Sequence, residues 1–399
     1  MKPLSHFLLL DLTHMLAGPY GTMLLTDMGM RTIKIEPPGR GESTRKLLSG
    51  SAEYARGDMG AYFMTLNRGK QSVCIDLKQA DGRDLFYGLV RRADVVFDNF
   101  SPGVTKRLGI DHASLARVNP RVVTCAVTGF GETGPHPNRP AFDMVAQGMG
   151  GGMSITGMPD GEPTRAGIPI GDLGGGIFGA LGALAALHDR DRTGKGRHVD
   201  ISMLDCQISL LNYMATMHFL SGKNPGREGN GHFVHVPYNT FKTKTNHIII
   251  AIIFDSFWPK FLEVLDNPAL CRDEFLDQPG RLAARAFIEA EIEKVLLTRD
   301  ADHWLEELSS RRIPCAPVND FEHALSDPQV LARNMVVDVP MPGGEPVRMP
   351  GNPVKLGAGA DDVFGTPPKR GEHTEDVLTS FLGIGAKRMD SLRARGVIE

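Results

Sequence analysis

At 399 residues, with 41% hydrophobic and 23% charged side chains, the chain reads as a soluble globular protein of two domains, or of one large domain carrying a smaller one. Its net charge of −3 carries no nucleic-acid footprint, and no basic run marks a membrane-facing surface. Cys74, Cys125, Cys206, Cys271 and Cys315 are scattered without a C-x-x-C pair, which argues against a disulfide framework or a zinc site and for a reducing, cytoplasmic setting.

Taken in chain order, Phe7–Leu12 is a continuous apolar run, too short for a signal segment and suited to a parallel strand buried on both faces. A helical pattern follows over Tyr20–Met28, then a strand at Thr32–Glu36 and a glycine-rich loop, Gly39–Arg45. Ser72–Leu77 reads as a strand, Asp81–Ala93 as an amphipathic helix, and Asp94–Asn99 and Val122–Thr128 as two more strands. This alternation predicts an α/β fold, a Rossmann-like doubly wound parallel sheet that binds ligands beyond the carboxyl ends of its strands.

The stretch Gly167–His188 runs from a short apolar segment through Asp172 and a glycine cluster into a long helix of small residues. Arg197–Met203 reads as a strand and Leu204–Leu220 as one long helix. Residues 1–220 then form the large domain, and 221–235 a linker whose His232 and His235 face solvent. Residues 236–330 form a small α+β domain, with strands at Pro237–Lys242 and His247–Ile253 and helices near Trp258–Leu265, Ala283–Leu297 and Ala301–Arg311. From 331 to 399 the chain is proline- and glycine-rich, extended, and packed along another surface until a helix at Glu375–Leu382.

Asp172 is the sole ionisable residue between Arg165 and His188. It suits two roles, capping the helix behind it or acting as a carboxylate nucleophile, and the local sequence leaves both open. Gly129–Gly134 matches G-x-G-x-x-G after a strand, but Pro135, Pro137 and Pro140 prevent the helix that a dinucleotide pyrophosphate needs. No metal-ligand spacing and no G-x-S-x-G element occurs. Arg40, Arg45, Arg68, Lys70, Lys106 and Arg107 fall in loops or turns near strand ends, where together they suit a polyanionic ligand.

In order along the chain come D-L-T-H-M-L-A-G-P-Y (Asp11–Tyr20), I-K-I-E-P-P-G-R-G (Ile33–Gly41), L-N-R-G-K-Q-S-V (Leu66–Val73), D-N-F-S-P-G (Asp98–Gly103), T-G-F-G-E-T-G-P (Thr128–Pro135), A-F-D-M-V-A-Q (Ala141–Gln147), G-D-L-G-G-G (Gly171–Gly176), V-P-Y-N-T-F-K-T (Val236–Thr243) and G-E-H-T (Gly371–Thr374). With these motifs the chain resembles the family III CoA-transferases over nearly its whole length. The resemblance implies that the large domain binds CoA thioesters, as substrates rather than as a permanent cofactor, and that Asp172 is the nucleophile. It implies an aspartyl-CoA thioester intermediate, with amides of Gly174, Gly175 and Gly176 available to the oxyanion. For CoA it implies contacts from His14, Met15, Leu16 and Ala17, from Cys74 through Lys78, from Asn99, Phe100 and Ser101, from Arg107, and from Phe142 and Asp143. Several relatives carry Arg where this chain has Pro37, and Arg40 is expected to replace that charge. An interlocked homodimer, each chain threading its partner, is also implied.

Two rivals stand beside this reading. A 2-methylacyl-CoA racemase resembles the chain but carries G-H-D where this one has Ala141-Phe142-Asp143, and Phe142 cannot move a proton. A non-catalytic CoA-binding dimeric scaffold would not need the acid of G-D-L-G-G-G. The donor and acceptor expected from the resemblance are succinyl-CoA and a small dicarboxylic acid, on the likeness to the dicarboxylate-using branch rather than the oxalate branch.

Overall fold

A computed structural model describes residues 2–356 and 363–399. The chain divides into two compact units, the first made of Met1–Gly152, Arg165–Ser221 and Pro328–Glu399, the second of Met153–Thr164 and Gly222–Asp327.

The first unit is an α/β layer structure. Strands β1 (Leu8–Asp11), β2 (Arg31–Glu36), β3 (Gln71–Cys74), β4 (Val95–Asp98), β5 (Val123–Thr128) and β6 (His198–Ser202) form one six-stranded sheet in the order β3-β2-β1-β4-β5-β6. Every pairing is parallel. Successive side chains of a strand point to opposite faces, and the apolar runs feed both. Leu8, Leu10, Ile33, Ile35 and Val73 face one core with Leu85, Phe86 and Leu89 of α3 (Ala80–Val90). Leu9, Phe97, Cys125 and Val127 face the other, with Leu25 of α1 (Ala17–Asp27) and Ala180, Ala183 and Leu187 of a long helix. Strand order reverses between β1 and β4, and the crevice outside the carboxyl ends at such a switch point is where ligands bind.

Elements unseen in the sequence fill the connections: α2 (Ala61–Asn67), α4 (Val104–Leu108), α5 (His112–Val118) and α6 (Asp143–Met149). The long helix is α7 (Ile170–Thr193). Its glycines let backbones touch: a Cβ at Gly176 would stand 2.6 Å from the Ala17 carbonyl oxygen, and one at Gly179 would stand 2.7 Å from Phe97. By length and composition α7 is apolar enough to cross a membrane, yet half of its most apolar window is buried in the unit.

Three expectations are corrected. Leu204–Leu220 is two helices, α8 (Met203–Leu211) and α9 (Tyr213–Ser221), because Asn212 takes a left-handed φ of 49° that a helix cannot carry through. The extended tail holds a hairpin, Val336–Met341 with Gly344–Pro350, whose Val339, Met341 and Met349 bury against Phe63 and Met64 of α2. After it comes α10 (Thr374–Leu382), then an unforeseen helix, α11 (Ala386–Ala394). The stretch 221–235 is solvated only in its first part, where residues 221–226 are exposed; further on His232 stacks on His235 at 4.6 Å and Arg285 pairs with Glu228 at 3.0 Å inside the second unit.

That second unit is built on a three-stranded antiparallel sheet of Tyr238–Lys242, His247–Ala251 and Cys315–Pro317. Ile248, Ile250, Trp258, Phe261, Ile288, Ile292, Trp304 and Leu308 form its own core.

Candidate active site beyond the parallel strands

The site rests on a buried charge cluster. Asp11 ends β1 with no exposed surface, and its Oδ2 accepts from Lys70 Nζ at 2.8 Å with Lys34 Nζ 3.8 Å away. Burial pushes the Asp11 carboxyl upward, but the charges of Lys34 and Lys70 and the hydrogen bonds from Lys70 and Thr13 outweigh it, and its pKa falls well below the usual range. Burial likewise draws the Lys70 ammonium down to about 8 against the pull of Asp11. The cluster fixes the turn after β1. Thr13 donates N–H and Oγ1 to Asp11 Oδ1 at 2.8 and 2.5 Å, and Lys34 Nζ donates to the Thr13 carbonyl at 2.7 Å. Beyond it, Asn99 clamps His14, accepting its N–H at 2.9 Å and donating to its carbonyl at 2.7 Å, across the gap between β1 and β4. Met15 is held at a left-handed φ of 64°, its N–H donating to Glu42 Oε1 at 2.9 Å, and strain of this kind gathers at functional loops.

Over these turns opens a cavity of about 660 Å³, lined by Thr13, His14, Arg40, Glu42, Lys46, Ile75 to Lys78, Phe100 and Leu108 among others. Its acids are occupied. Glu36 holds Arg45 in a two-point pair at 2.6 Å and accepts from Ser72 at 2.6 Å. Glu42 accepts from the Thr44 amide at 3.1 Å, and Asp76 from the Lys78 amide at 3.0 Å. Among the described residues the cations Arg40, Lys46 and Lys78 have no carboxylate partner, which leaves the cavity wall able to meet a polyanion. Arg45, Arg68 and Lys70, grouped with them in the sequence, are buried in ion pairs with Glu36, Asp27 and Asp11 and serve the scaffold instead.

Asp172 lies in the first turn of α7, half-buried, as its third residue and not as its cap. The cap comes from elsewhere in the chain. Asp143 Oδ1 accepts from the Gly171 and Asp172 amides at 2.8 and 3.3 Å, while its Oδ2 accepts from Gln147 Nε2 at 2.8 Å. Burial, and then the Asp143 charge, push the Asp172 carboxyl up to about 6, and among the described residues no cation pairs with it. It is therefore ionised at neutral pH and poorly solvated, as a carboxylate nucleophile must be. The helix-start amides are already bonded to Asp143, so they do not hold the Asp172 side chain. Gly174, Gly175 and Gly176 lie past the unpaired amides of a helix start, so their N–H groups serve α7 itself, and the expectation that they meet an oxyanion is corrected.

The remaining residues sort plainly. His14, Arg40, Lys78 and Phe100 line the cavity, and burial followed by the Lys34 charge lowers the His14 pKa. Met15 and Asn99 shape its floor, Leu16 precedes α1, and Ala17 packs on α7. Cys74 is corrected from wall to core: it is fully buried, and burial followed by the Glu36 charge raises its thiol to about 12. Ser101 precedes α4, and Arg107 is exposed in the last turn of that helix, whose Val104 and Leu108 reach the cavity while Arg107 does not line it. Phe142 is 68% exposed beside the capping Asp143. One residue was missed. Tyr62 on α2 is half-buried, and burial followed by the charges of Asp172, Glu42 and Asp143 raises its phenol to about 12, so it stays a proton donor in their midst. Glu42 is also a cavity wall, so the charges that act on Tyr62 include one from the cavity as well as that of Asp172, which does not itself line the cavity.

The sequence profile of CoA-transferase family III matches residues 4–374. The chain belongs to that family. It is 40% identical to the acetyl-CoA:oxalate CoA-transferase of Acetobacter aceti, over 96% of this chain and 97% of the relative. It is 37% identical to the succinyl-CoA:mesaconate CoA-transferase of Haloarcula hispanica, over 98% of this chain and 100% of the relative. Among solved structures it is similar to a CAIB/BAIF family protein from Brucella suis, with a TM-score of 0.83 at 34% identity, covering 95% and 99% of the two chains. This family III member is an enzyme of the CoA-transferase class, which removes the scaffold reading. The likeness to an oxalate enzyme is as strong as that to a mesaconate enzyme, so identity does not separate the two branches as expected.

Proposed function

We propose that the enzyme moves CoA from succinyl-CoA to a small dicarboxylic acid through an aspartyl-CoA thioester on Asp172. The observation that carries this is a half-buried carboxylate raised to about 6, with no cation paired to it among the described residues, in the same unit as a cavity whose Arg40, Lys46 and Lys78 have no carboxylate partner among those residues. An Asp172 oxygen attacks the thioester carbonyl, expelling CoA thiolate and leaving a mixed anhydride. The thiolate attacks the aspartyl carbonyl, releasing the donor acid and leaving aspartyl-CoA. The acceptor carboxylate attacks that thioester, expelling thiolate again and forming the second anhydride. Thiolate then attacks the acceptor's carbonyl, and Asp172 leaves as carboxylate. No proton need move, which agrees with Phe142 standing where racemases carry histidine. The Tyr62 phenol, which feels the Asp172 charge and keeps its proton, is our candidate donor for the oxyanions.

The relatives' names supply the acid class: both oxalate and mesaconate are dicarboxylates. A small diacid also suits a site that must exclude water from a reactive anhydride. We further propose an interlocked homodimer, supported by exposed apolar side chains on the first unit, Phe142, Met144, Ile177, Leu181, Phe219 and Leu220, and a cytoplasmic location, supported by the scattered, unpaired cysteines. The test is transfer itself: succinyl-CoA or acetyl-CoA is supplied with a panel of mono- and dicarboxylic acids, and product thioesters are resolved by mass. New dicarboxyl-CoA from succinyl-CoA supports the proposal, and transfer confined to monocarboxylic acids or to acetyl-CoA overturns it. Solvent deuterium entering the α-carbon of a 2-methylacyl-CoA without acceptor acid would show a racemase instead.

A further inference from the structure

Residues 397–399 tie two walls of the cavity together. On one side the Val397 carbonyl accepts from the Asp76 amide at 2.8 Å, and Ile398 pairs antiparallel with Ile75 beyond the end of β3. Val397 and Ile398 are buried in the core of the first unit, so this anchor is firm. On the other side the Glu399 carboxylate reaches the loop after β2, where Oε2 accepts from the Gly39 amide at 2.7 Å. Arg370 fixes that carboxylate, donating from Nε and Nη2 to Oε1 at 3.0 and 2.5 Å.

The far end of that loop is fixed, since Gly41 is buried against Arg45, Arg370 and Glu36, but its Gly39 end has little else to hold it. Gly39 and Gly41 both sit at positive φ, 78° and 65°, and a Cβ at Gly39 would meet nothing within 4 Å. Its remaining internal tie is the Gly41 amide donating to the Pro37 carbonyl at 3.0 Å. Between the two glycines stands Arg40, exposed, facing the cavity and without a carboxylate partner among the described residues. Glycine on both sides makes an arginine's direction loose unless something outside the turn fixes it.

We propose that Glu399, held by Arg370, is a positioning residue that sets the Gly39–Gly41 turn and so aims Arg40 at the anionic end of the CoA substrate. This rests on reading the cavity as the CoA site. A charge-assisted hydrogen bond is strong enough for its loss to show in binding, while Asp172 and its capping Asp143 depend on other elements. The effect therefore falls on CoA affinity and not on turnover.

The experiment is calorimetric binding of CoA, with steady-state kinetics, for the wild type, Glu399→Gln, Glu399→Ala, Arg40→Ala and the Arg40→Ala/Glu399→Ala double variant. Glu399→Ala is expected to weaken CoA binding and raise the acyl-CoA KM by about five- to tenfold, with kcat within about twofold. Glu399→Gln, which still accepts from Gly39 but no longer pairs ionically with Arg370, is expected between the two. In the Arg40→Ala background the Glu399 change is expected to add nothing. Unchanged CoA affinity in Glu399→Ala, or an equal effect with and without Arg40, overturns the positioning role. So does a fall in kcat with a lowered melting temperature in both Glu399 variants, which marks a merely structural tie. Failure of the wild type to bind CoA overturns the cavity reading instead, and the two failures are distinct.

Discussion

Two aspartates of the first unit are both withdrawn from water and titrate in opposite directions. Asp11 is fully buried, yet Lys34 and Lys70 hold its carboxyl below the usual range. Asp172 is only half-buried, yet burial and its acidic neighbour Asp143 lift it to about 6. Burial raises both carboxyls, and the two lysines outweigh it at Asp11 while Asp143 adds to it at Asp172. The compensated Asp11 serves the scaffold, while Asp172, without a compensating cation among the described residues, keeps the high free energy that the proposed nucleophile would use in attack.

The contrast breaks most sharply on substitution. Asp172→Ala is expected to lower turnover by about a thousandfold or more while leaving the melting temperature equal or higher, since it removes a carboxylate buried without compensation. Asp11→Asn is expected to do the reverse. It strands Lys34 and Lys70 in the interior, at a cost of about 3–5 kcal/mol, read as a lower urea midpoint. If Asp11→Asn folds as well as wild type, the compensated cluster is not scaffold. Tyr62→Phe is expected to cost about tenfold in kcat, as one lost donor would, with little change in stability.

The smallest effects are in pH. Below about 6 Asp172 carries a proton and cannot attack, so the first half-reaction is expected to fall on the acid side of that value. Stability from the same group runs the other way. Its folded pKa is raised above 3.8, so its contribution is lost as pH rises through about 6. For Asp11 the folded pKa is lowered, and its contribution is lost as pH falls below the ordinary carboxylate range. Asp143→Asn keeps an oxygen for the Gly171 and Asp172 amides but removes the repelling charge. The acid limb of the rate profile is expected to move down by up to about one pH unit, and a limb that stays put would show that burial alone sets it.

What the sequence made legible was local. Apolar runs at Phe7–Leu12, Asp94–Asn99 and Val122–Thr128 marked strands of the parallel sheet, and the acid before the glycines of α7 stood out at Asp172. What stayed hidden was set by distant partners. The carboxylate that caps α7 is Asp143, far upstream, and nothing at Gly171 or Asp172 announces it. Arg45, Arg68 and Lys70 looked like cavity cations because their buried partners Glu36, Asp27 and Asp11 lie on other elements. The hairpin Val336–Pro350 was read as extended chain because its apolar face is recognisable only against Phe63 and Met64. Tyr62 was passed over because an isolated tyrosine carries no motif, and the acids around it come together only in the fold.

The most direct measurement is the mass of the proteolytic peptide containing Asp172 after incubation with succinyl-CoA and rapid acid quench. A peptide heavier by CoA less one water, absent from Asp172→Ala treated in the same way, is the expected result. An unmodified Asp172 peptide during active turnover, or the same adduct persisting in Asp172→Ala, would contradict the assignment of Asp172 as the nucleophile.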